Sequence, residues 1–151
     1  MTIAKLDHIY LFVKDLDRAV KFYEAFLGMK VTERFEDRWA GFGGNKEFNL
    51  GLFNVSFDKK IIKTAPNYND YMDDNYKDFV TNEARKIGNN AIVAFFTDDI
   101  EAEHQRVKSL DPKPQSITKV LTVNFMAPYH FFQFVDPEGN TIEVYTIELK
   151  S

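Results

Sequence analysis

Two side chains of this sequence combine acid–base or ligand chemistry with a position inside an apolar run. Glu143 lies in the middle of 141–147, and His8 lies in the run at 3–13. An ionised carboxylate is costly to bury without a partner. The sequence therefore predicts that Glu143 meets a metal, His8, a tyrosine or a bound ligand. A general base is another role open to Glu143, while His8 is either a hydrogen-bonding cavity residue or an inert, partly buried one.

The remaining histidines give weaker indications of function. His130 falls in a predicted strand near the rim of the fold, and His104 falls on a predicted helix. We expect His104 to be structural or on the surface. His130 is kept as a candidate ligand-binding residue.

Several common kinds of site are excluded by residue type. The sequence has no Cys, which rules out thiolate chemistry and disulfides and fits a cytoplasmic protein. Gly41-Phe42-Gly43-Gly44 lacks the following Lys-Ser/Thr of a phosphate loop, and no Gly-x-Ser-x-Gly motif occurs. The net charge of −4 and the dispersed Lys and Arg residues argue against nucleic acid as a partner.

The composition indicates one globular domain. The chain has 151 residues, of which 44% are hydrophobic and 15% aromatic. No apolar run approaches the ~18 residues of a membrane span, so we expect no membrane association. The aromatic residues either fill a Phe-rich core or partly line an apolar cavity for a flat ligand.

An internal repeat organises the chain. The segment 8–16 aligns with 92–100, which lies 84 residues further along, and each copy leads into a helical pattern. A repeat of this kind predicts two similar halves packed around a shared centre. The first half reads as strands at 3–13, 29–35, 37–42 and 48–53, with a helix at 17–27 that Asp15 caps and Gly28 ends.

The second half repeats this plan after an irregular connector. It reads as strands at 91–96, 118–125, 129–135 and 141–147, with a helix at 101–110 capped by Asp99. The sequence 136–140, Asp-Pro-Glu-Gly-Asn, is a turn to which no chemistry is assigned. We take 1–151 as one domain, with module one at 1–53, the connector at 54–90 and module two at 91–151. The connector is either partly helical, with a short helix at 83–87, or a lid or arm.

The motifs in this order resemble the vicinal oxygen chelate superfamily, which includes glyoxalases, bleomycin-resistance proteins and extradiol dioxygenases. The resemblance is carried by 6–16 with 19–23 and 27–29, by 93–100, and by 134–144. It implies an α+β fold of two tandem βαβββ modules that form a curved mixed sheet around a cavity. It also implies a homodimer, and halves that can exchange between subunits.

The resemblance further implies a divalent metal, Zn, Ni, Mn or Fe, bound by the first and last strands of the modules. His8 matches the first-strand ligand of module one, and Glu143 matches the last-strand ligand of module two. The equivalent positions in the other modules hold Ile92 and Gly51. Two ligands hold a catalytic first-row metal poorly. Asn49, His130 and Glu47 are substitutes that do not match the family pattern.

Three functions follow from these expectations. The favoured one is a small-molecule-binding protein with a degenerate metal site, since Gly51 and Ile92 remove ligands and leave room. Its cavity would hold an aromatic or amphipathic compound against rings that include Tyr10, Phe12, Trp39, Phe132 and Phe134. The second is a metal-dependent lyase or dioxygenase-like enzyme acting on vicinal oxygens. The third is an interaction protein whose aromatic connector, at 68–79, docks a partner.

Overall fold

The computed structural model describes residues 8–43, 49–82, 92–124 and 128–148. The chain forms two compact units that do not follow the order of the sequence. Unit one comprises Met1–Val20 and Met29–Lys86, and unit two comprises Lys21–Gly28 and Ile87–Ser151. None of the helices in the described ranges is long and apolar enough to cross a membrane.

Unit one contains a four-stranded sheet and the helices of the connector. Its elements are β1 (Ile9–Val13), the start of α1 (Leu16–Leu27), β2 (Glu33–Phe35), β3 (Trp39–Phe42), β4 (Leu50–Asn54), α2 (Phe57–Thr64), a 3₁₀ turn (Tyr68–Asp70) and α3 (Asp74–Asn82). The strand order is β1-β4-β3-β2. The β1–β4 pair is parallel and the other two pairs are antiparallel, which is the βαβββ arrangement.

The two faces of this first sheet differ because strand side chains alternate. One face carries the buried aliphatic and aromatic residues of the core, which are Leu11, Val13, Ala40, Phe42, Leu50 and Leu52. The other face carries Tyr10, Phe12, Trp39 and Phe53, and of these Tyr10 is 49% exposed. The candidate site lies on this second face.

Unit two repeats the architecture. Its elements are the remainder of α1, β5 (Val93–Phe96), α4 (Ile100–Lys108), β6 (Ser116–Ile117), β7 (Leu121–Asn124), β8 (Pro128–Val135) and β9 (Thr141–Ile147). The strand order is β5-β9-β8-β6, and β7 also pairs with β8. The β5–β9 pair is parallel, like β1–β4. The α+β class and the two βαβββ modules expected from the sequence are therefore confirmed.

The core of unit two is built around the second half of α1. Phe22 and Phe26 pack on Phe134, with ring centroids 5.8 and 5.2 Å apart, and Phe26 also meets Phe95 at 5.2 Å. The fully buried Tyr23 donates a hydrogen bond to Asp136, with 2.7 Å between the oxygens. Burial first, and then Asp136, raises the pKa of Tyr23 well above its usual value.

Asp136 gives the turn between β8 and β9 its shape. The backbone amides of Glu138 and Asn140 donate to its Oδ1 at 2.8 and 2.9 Å. Gly139 has φ +98°, a conformation that suits glycine. The turn thus reverses the chain between β8 and β9 and also provides the buried hydrogen-bond acceptor of Tyr23.

The helix signals of the sequence are confirmed at their starts. Asp15 accepts from the amide of Arg18 at 3.0 Å, and Asp99 accepts from the amide of Ala102 at 3.0 Å. Gly28 follows α1 with φ +66°. In the connector, α2 and α3 show that its described part is mostly helical. The short helix expected at 83–87 lies outside the described residues.

Two strand predictions were wrong in extent. The strand expected at 29–35 begins only at Glu33. Of the strand expected at 118–125, the described residues form only β7, and a break separates it from the short β6 that precedes residue 118. Thr118 lies at this break: its hydroxyl accepts from the amide of Gln133 at 3.0 Å, and its carbonyl accepts from His104 at 2.7 Å. A side chain therefore replaces a backbone partner in the ladder, which interrupts the strand.

Candidate functional site

A group of rings covers one face of the first sheet, and we call it the ring cluster: His8, Tyr10, Phe12, Trp39 and Phe53. Tyr10 is at its centre, because its ring centroid lies 5.8–6.3 Å from those of the other four. Such spacings are typical of edge-to-face and tilted aromatic pairs. Alternation along β1 and the residue before it places His8, Tyr10 and Phe12 on one face.

Trp39 occupies the position where a side chain of residue 51 would project. A Cβ atom built on Gly51 would lie 2.0 Å from Cη2 of the Trp39 indole. No real Cβ tolerates such an approach, so residue 51 can be only glycine while the indole stays there. The same ring lies 6.0 Å from the His8 ring, between centroids, in an edge arrangement.

Glu33 fixes the indole and was missed by sequence reasoning. The Nε1–H of Trp39 donates to Oε1 of Glu33, with 2.9 Å between nitrogen and oxygen. The two side chains share a face because Phe35 pairs with Trp39, which puts Glu33 opposite Gly41. The signal in the sequence was alternation, since Glu33 is two residues before Phe35, but its use required the register of the hairpin.

A hollow of about 420 Å³ lies beside the ring cluster. Four of its lining residues, His8, Trp39, Asn49 and Gly51, are candidates from the sequence. Other residues that line it are Thr32, Glu33, Gly41, Phe42, Gly43 and Leu50. We call it the ring hollow. Its volume suits a small organic molecule. Glu47, a substitute ligand in the sequence-based hypothesis, lies outside the described residues.

Glu143 is held by hydrogen bonds on the second sheet. Its Oε1 accepts from the hydroxyl of Tyr129 at 2.5 Å, and its Oε2 accepts from the side-chain amide of Gln133 at 2.9 Å. The half-buried carboxylate therefore has protein partners, of which a tyrosine was among those anticipated. Burial and then the bond to Glu143 raise the pKa of Tyr129, so Tyr129 stays a donor at neutral pH.

The registers of the two sheets place Gly51 and Glu143 at equivalent positions. Gly51 pairs with Tyr10 on the parallel first strand, and Glu143 pairs with Ala94. Tyr10 and Ala94 are 84 residues apart, the offset of the sequence repeat. One module thus has a carboxylate where the other has a glycine covered by an indole.

The other candidates of unit two lie away from Glu143. Phe132 and Phe134 are on the opposite face of β8, where Phe134 packs on α1 and Phe132 packs on His104 at 4.9 Å between centroids. His130 shares that face and is hydrogen-bonded to Thr122 and Glu148 at 2.8 and 3.2 Å. The sequence did not separate the faces, because both carry aromatic residues. Ile92 is 45% exposed just before β5.

The described residues do not fit the divalent metal that the family resemblance implies. They contain no group of three or more His, Asp, Glu or Cys side chains able to hold an ion. At Gly51 the Trp39 indole fills the space that a metal-binding side chain would use. At the equivalent position of the second sheet, both oxygens of Glu143 already accept hydrogen bonds. A catalytic site ordinarily offers three protein ligands.

Known proteins share this fold over nearly the whole chain. The lactoylglutathione lyase of Agrobacterium tumefaciens superposes with a TM-score of 0.61 and 17% identity, covering 95% of this chain and 94% of that one. A structure from the mobile metagenome of V. Pseudocholerae gives a TM-score of 0.60 at 25% identity, covering 99% and 98%.

Sequence comparison finds a curated relative and a family. Virulence protein STM3117 of Salmonella typhimurium is 30% identical over 66 residues, which are 44% of this chain and 46% of that protein. The match therefore spans about half of the relative. The sequence pattern of one family matches residues 5–144. By this match the chain belongs to the Glyoxalase/Bleomycin resistance protein/Dioxygenase superfamily.

Proposed function

We propose that this protein binds a flat or amphipathic small molecule against the ring cluster without using a metal. The observation that carries the proposal is the Trp39 indole over Gly51, where a Cβ would lie 2.0 Å from the ring. The position at which the family resemblance implies a metal ligand is used by an apolar, flat surface. The superfamily includes bleomycin-resistance proteins. Under this proposal, the chain is a small-molecule-binding protein of that kind.

The chemistry of the ring hollow favours a ligand with a flat ring system and a positive charge. Rings attract cations through their negatively charged faces, by about 0.5–2 kcal/mol for each well-placed contact. Glu33 adds a carboxylate that is already beside the indole of Trp39. His8 and Asn49, which also line the hollow, supply polar groups for orientation.

The competing function is a metal-dependent lyase or dioxygenase-like enzyme. In favour of it, His8 and Glu143 stand at the two positions where ligands are expected. Against it, both oxygens of Glu143 already accept hydrogen bonds and the Trp39 indole covers Gly51. Neither position therefore offers a metal a ready ligand.

Trp39 makes the test direct, because it is the single tryptophan of the chain. Its fluorescence is measured while proflavine, a flat organic cation, is added. We expect saturable quenching that weakens about tenfold in Tyr10→Ala and severalfold in Glu33→Gln. Tyr71→Ala is the matched control, since Tyr71 is an exposed ring of the same unit that belongs neither to the ring cluster nor to the lining of the ring hollow.

The same preparations decide between binding and metal chemistry. Protein purified without chelator is incubated with Zn, Ni, Mn or Fe and subjected to elemental analysis. We expect substoichiometric metal that is the same in wild type and His8→Ala. About one metal per chain, lost in His8→Ala, would overturn the proposal. So would quenching that Tyr71→Ala and Tyr10→Ala reduce equally, because the dye would then bind elsewhere.

A further inference from the structure

A second hollow of unit one is formed by the connector, and we call it the connector hollow. It encloses about 290 Å³. The residues that line it are Phe35, Arg38, Phe57, Asp58, Ile61, Tyr71, Met72 and Tyr76. It shares no lining residue with the ring hollow. Most of its wall comes from α2 and from the segment around the 3₁₀ turn and α3.

The polar part of the connector hollow is an ion pair between the buried Asp58 and the partly exposed Arg38. Arg38 donates to Asp58 from Nε at 2.7 Å and from Nη2 at 3.2 Å. The hydroxyl of Tyr76 donates to the same carboxylate at 2.7 Å. Asp58 is only 3% exposed, so the pair is fixed in place at the base of α2. The guanidinium also lies over the Phe53 ring, 4.9 Å from its centroid.

The guanidinium is not fully used by these contacts. Its Nε and Nη2 are engaged by Asp58 and Tyr76, while Nη1 donates to no group within the described ranges. The Arg38 side chain is 34% exposed. Of the three guanidinium nitrogens, Nη1 is therefore the one left to donate to a ligand carboxylate, and the planar group fixes its direction.

The walls are apolar and partly open to solvent. Phe35 is 50% exposed and Tyr71 is 53% exposed, although both are large rings. Phe57, Ile61 and Met72 complete the apolar lining. Exposed rings that converge on a charged group mark a surface able to bind a ligand.

We propose that the connector hollow is a second binding site, which takes a small carboxylic acid with an aromatic or aliphatic body. The carboxylate accepts hydrogen bonds from Nη1 of Arg38, and the body lies between Phe35, Tyr71 and Met72. The volume is near the lower end of the ~300–1,000 Å³ range of ligand pockets, which limits the ligand to about the size of phenylacetate. Asp58 and Tyr76 line the same hollow and hold Arg38 in position through their hydrogen bonds.

The probe is phenylacetate, and the neutral phenylacetamide is its isosteric control. Binding is followed by NMR of ¹³C-methyl methionine, because Met72 lines the connector hollow and Met29 does not. We expect phenylacetate to shift the Met72 methyl signal saturably and to leave Met29 unchanged. We expect phenylacetamide to bind at least tenfold more weakly, since it carries no charge to pair with Arg38.

Two variants and a matched control test the assignment of Arg38. Arg38→Lys keeps a positive charge beside Asp58 but has no second nitrogen to replace Nη1, and we expect about a tenfold loss of affinity for phenylacetate. Tyr71→Ala removes an exposed wall, and we expect a loss of about threefold to tenfold without unfolding. Arg34→Lys is the control, because Arg34 forms its ion pair with Asp17 and does not line the hollow.

Three results would overturn this second site. They are an unshifted Met72 signal at about 10 mM phenylacetate, equal binding of acid and amide, and equal loss in Arg38→Lys and Arg34→Lys. The amide comparison needs no variant, so it stands even if Arg38→Lys is unstable. Quenching of Trp39 by proflavine is read separately, and therefore either site can fail without the other.

Discussion

At the scale of single residues, the main difference between the modules is the residue type at one equivalent position in the last strand of each. In unit one this residue is Gly51, and the indole of Trp39 lies directly on its backbone. In unit two it is Glu143, which Tyr129 and Gln133 hold by hydrogen bonds. The two positions are equivalent by register, so the repeat has been kept in its backbone while its chemistry has diverged.

The substitution Gly51→Ala tests how firmly the indole is placed. A methyl group at this position meets the ring itself, which cannot move aside without leaving Glu33. We expect the free energy of unfolding to fall by about 1–3 kcal/mol, as for overpacked cores. Urea denaturation measures the change, and the fluorescence maximum of Trp39 should shift as well.

Gly41→Ala is the matched control for this experiment. Its added methyl group would lie 2.7 Å from Cγ and Oε1 of Glu33, a flexible side chain that can rotate away. We expect the smaller loss of stability for this variant. If Gly41→Ala were the more damaging of the two, or if Gly51→Ala left the fluorescence of Trp39 unchanged, the indole would not be a fixed surface over the glycine.

At the scale of elements, the second half of α1 is fixed by the turn between β8 and β9. Tyr23 donates to Asp136, whose other oxygen holds the turn's backbone amides. Tyr23→Phe removes one buried hydrogen bond to a charged acceptor, which is worth about 1.5–3 kcal/mol. We expect the free energy of unfolding at pH 7 to fall by that amount, measured by urea denaturation followed by circular dichroism.

This contribution also depends on pH, with a definite sign. Because the pKa of Tyr23 is raised in the folded protein, its hydroxyl stabilises the fold fully below the unfolded pKa of about 10. The contribution is lost as the pH rises above that value toward the folded pKa. The difference between wild type and Tyr23→Phe should therefore be constant up to about pH 9 and shrink above pH 10.

Tyr10→Phe serves as the comparison, since Tyr10 is 49% exposed and its contacts within the described residues are with other rings. Its stability should differ from that of wild type by less than about 0.5 kcal/mol at pH 7. A difference between wild type and Tyr23→Phe that grows above pH 10 would contradict the expected sign of the pH dependence.

Much of the element plan was predictable because its signals are local. Capping aspartates, Gly28 and alternating strands specify the starts and ends of elements without knowledge of the fold. The alignment of 50–53 with 142–145 also predicted that Gly51 corresponds to Glu143, in agreement with the pairs Tyr10–Gly51 and Ala94–Glu143.

What could not be predicted depends on register between strands that lie apart in sequence. Glu33 reaches Trp39 only because β2 and β3 pair as they do. Phe132 and Phe134 resemble the aromatic residues of the ring cluster in type, but alternation from Glu143 across β8 places them in the core. The division of β6 from β7 depends on the hydroxyl of Thr118, which a propensity argument reads simply as a strand residue.

At the scale of the whole molecule, the order of the chain and the composition of the compact units differ. The first unit contains α1 only as far as Val20 and resumes at Met29, while the segment Lys21–Gly28 belongs to the second unit. Phe22 and Tyr23 are fully buried and Phe26 is 5% exposed. The predicted homodimer and the cavity shared by the two modules stay predictions, as does exchange of halves between subunits.

This composition gives a prediction about fragments. A polypeptide of residues 87–151 contains every strand of the second sheet but lacks Phe22, Tyr23 and Phe26. Each of these rings contributes about 1.5–3 kcal/mol when buried, and together they approach the ~5–15 kcal/mol stability of a whole domain. We expect the fragment alone to be unfolded by circular dichroism and to show a poorly dispersed NMR spectrum.

A synthetic peptide of residues 14–29 should restore the fold in trans, because it carries the missing part of the core. The control peptide has Phe26→Asp, which places a charge against Phe95 and Phe134 and should abolish the effect. A fragment that folds without any peptide would show that the second sheet and α4 form a sufficient core. Equal rescue by both peptides would show that α1 stabilises the fragment simply as a helix and not through the specific packing of its aromatic rings. Only rescue confined to the native peptide agrees with a unit whose core is completed by α1.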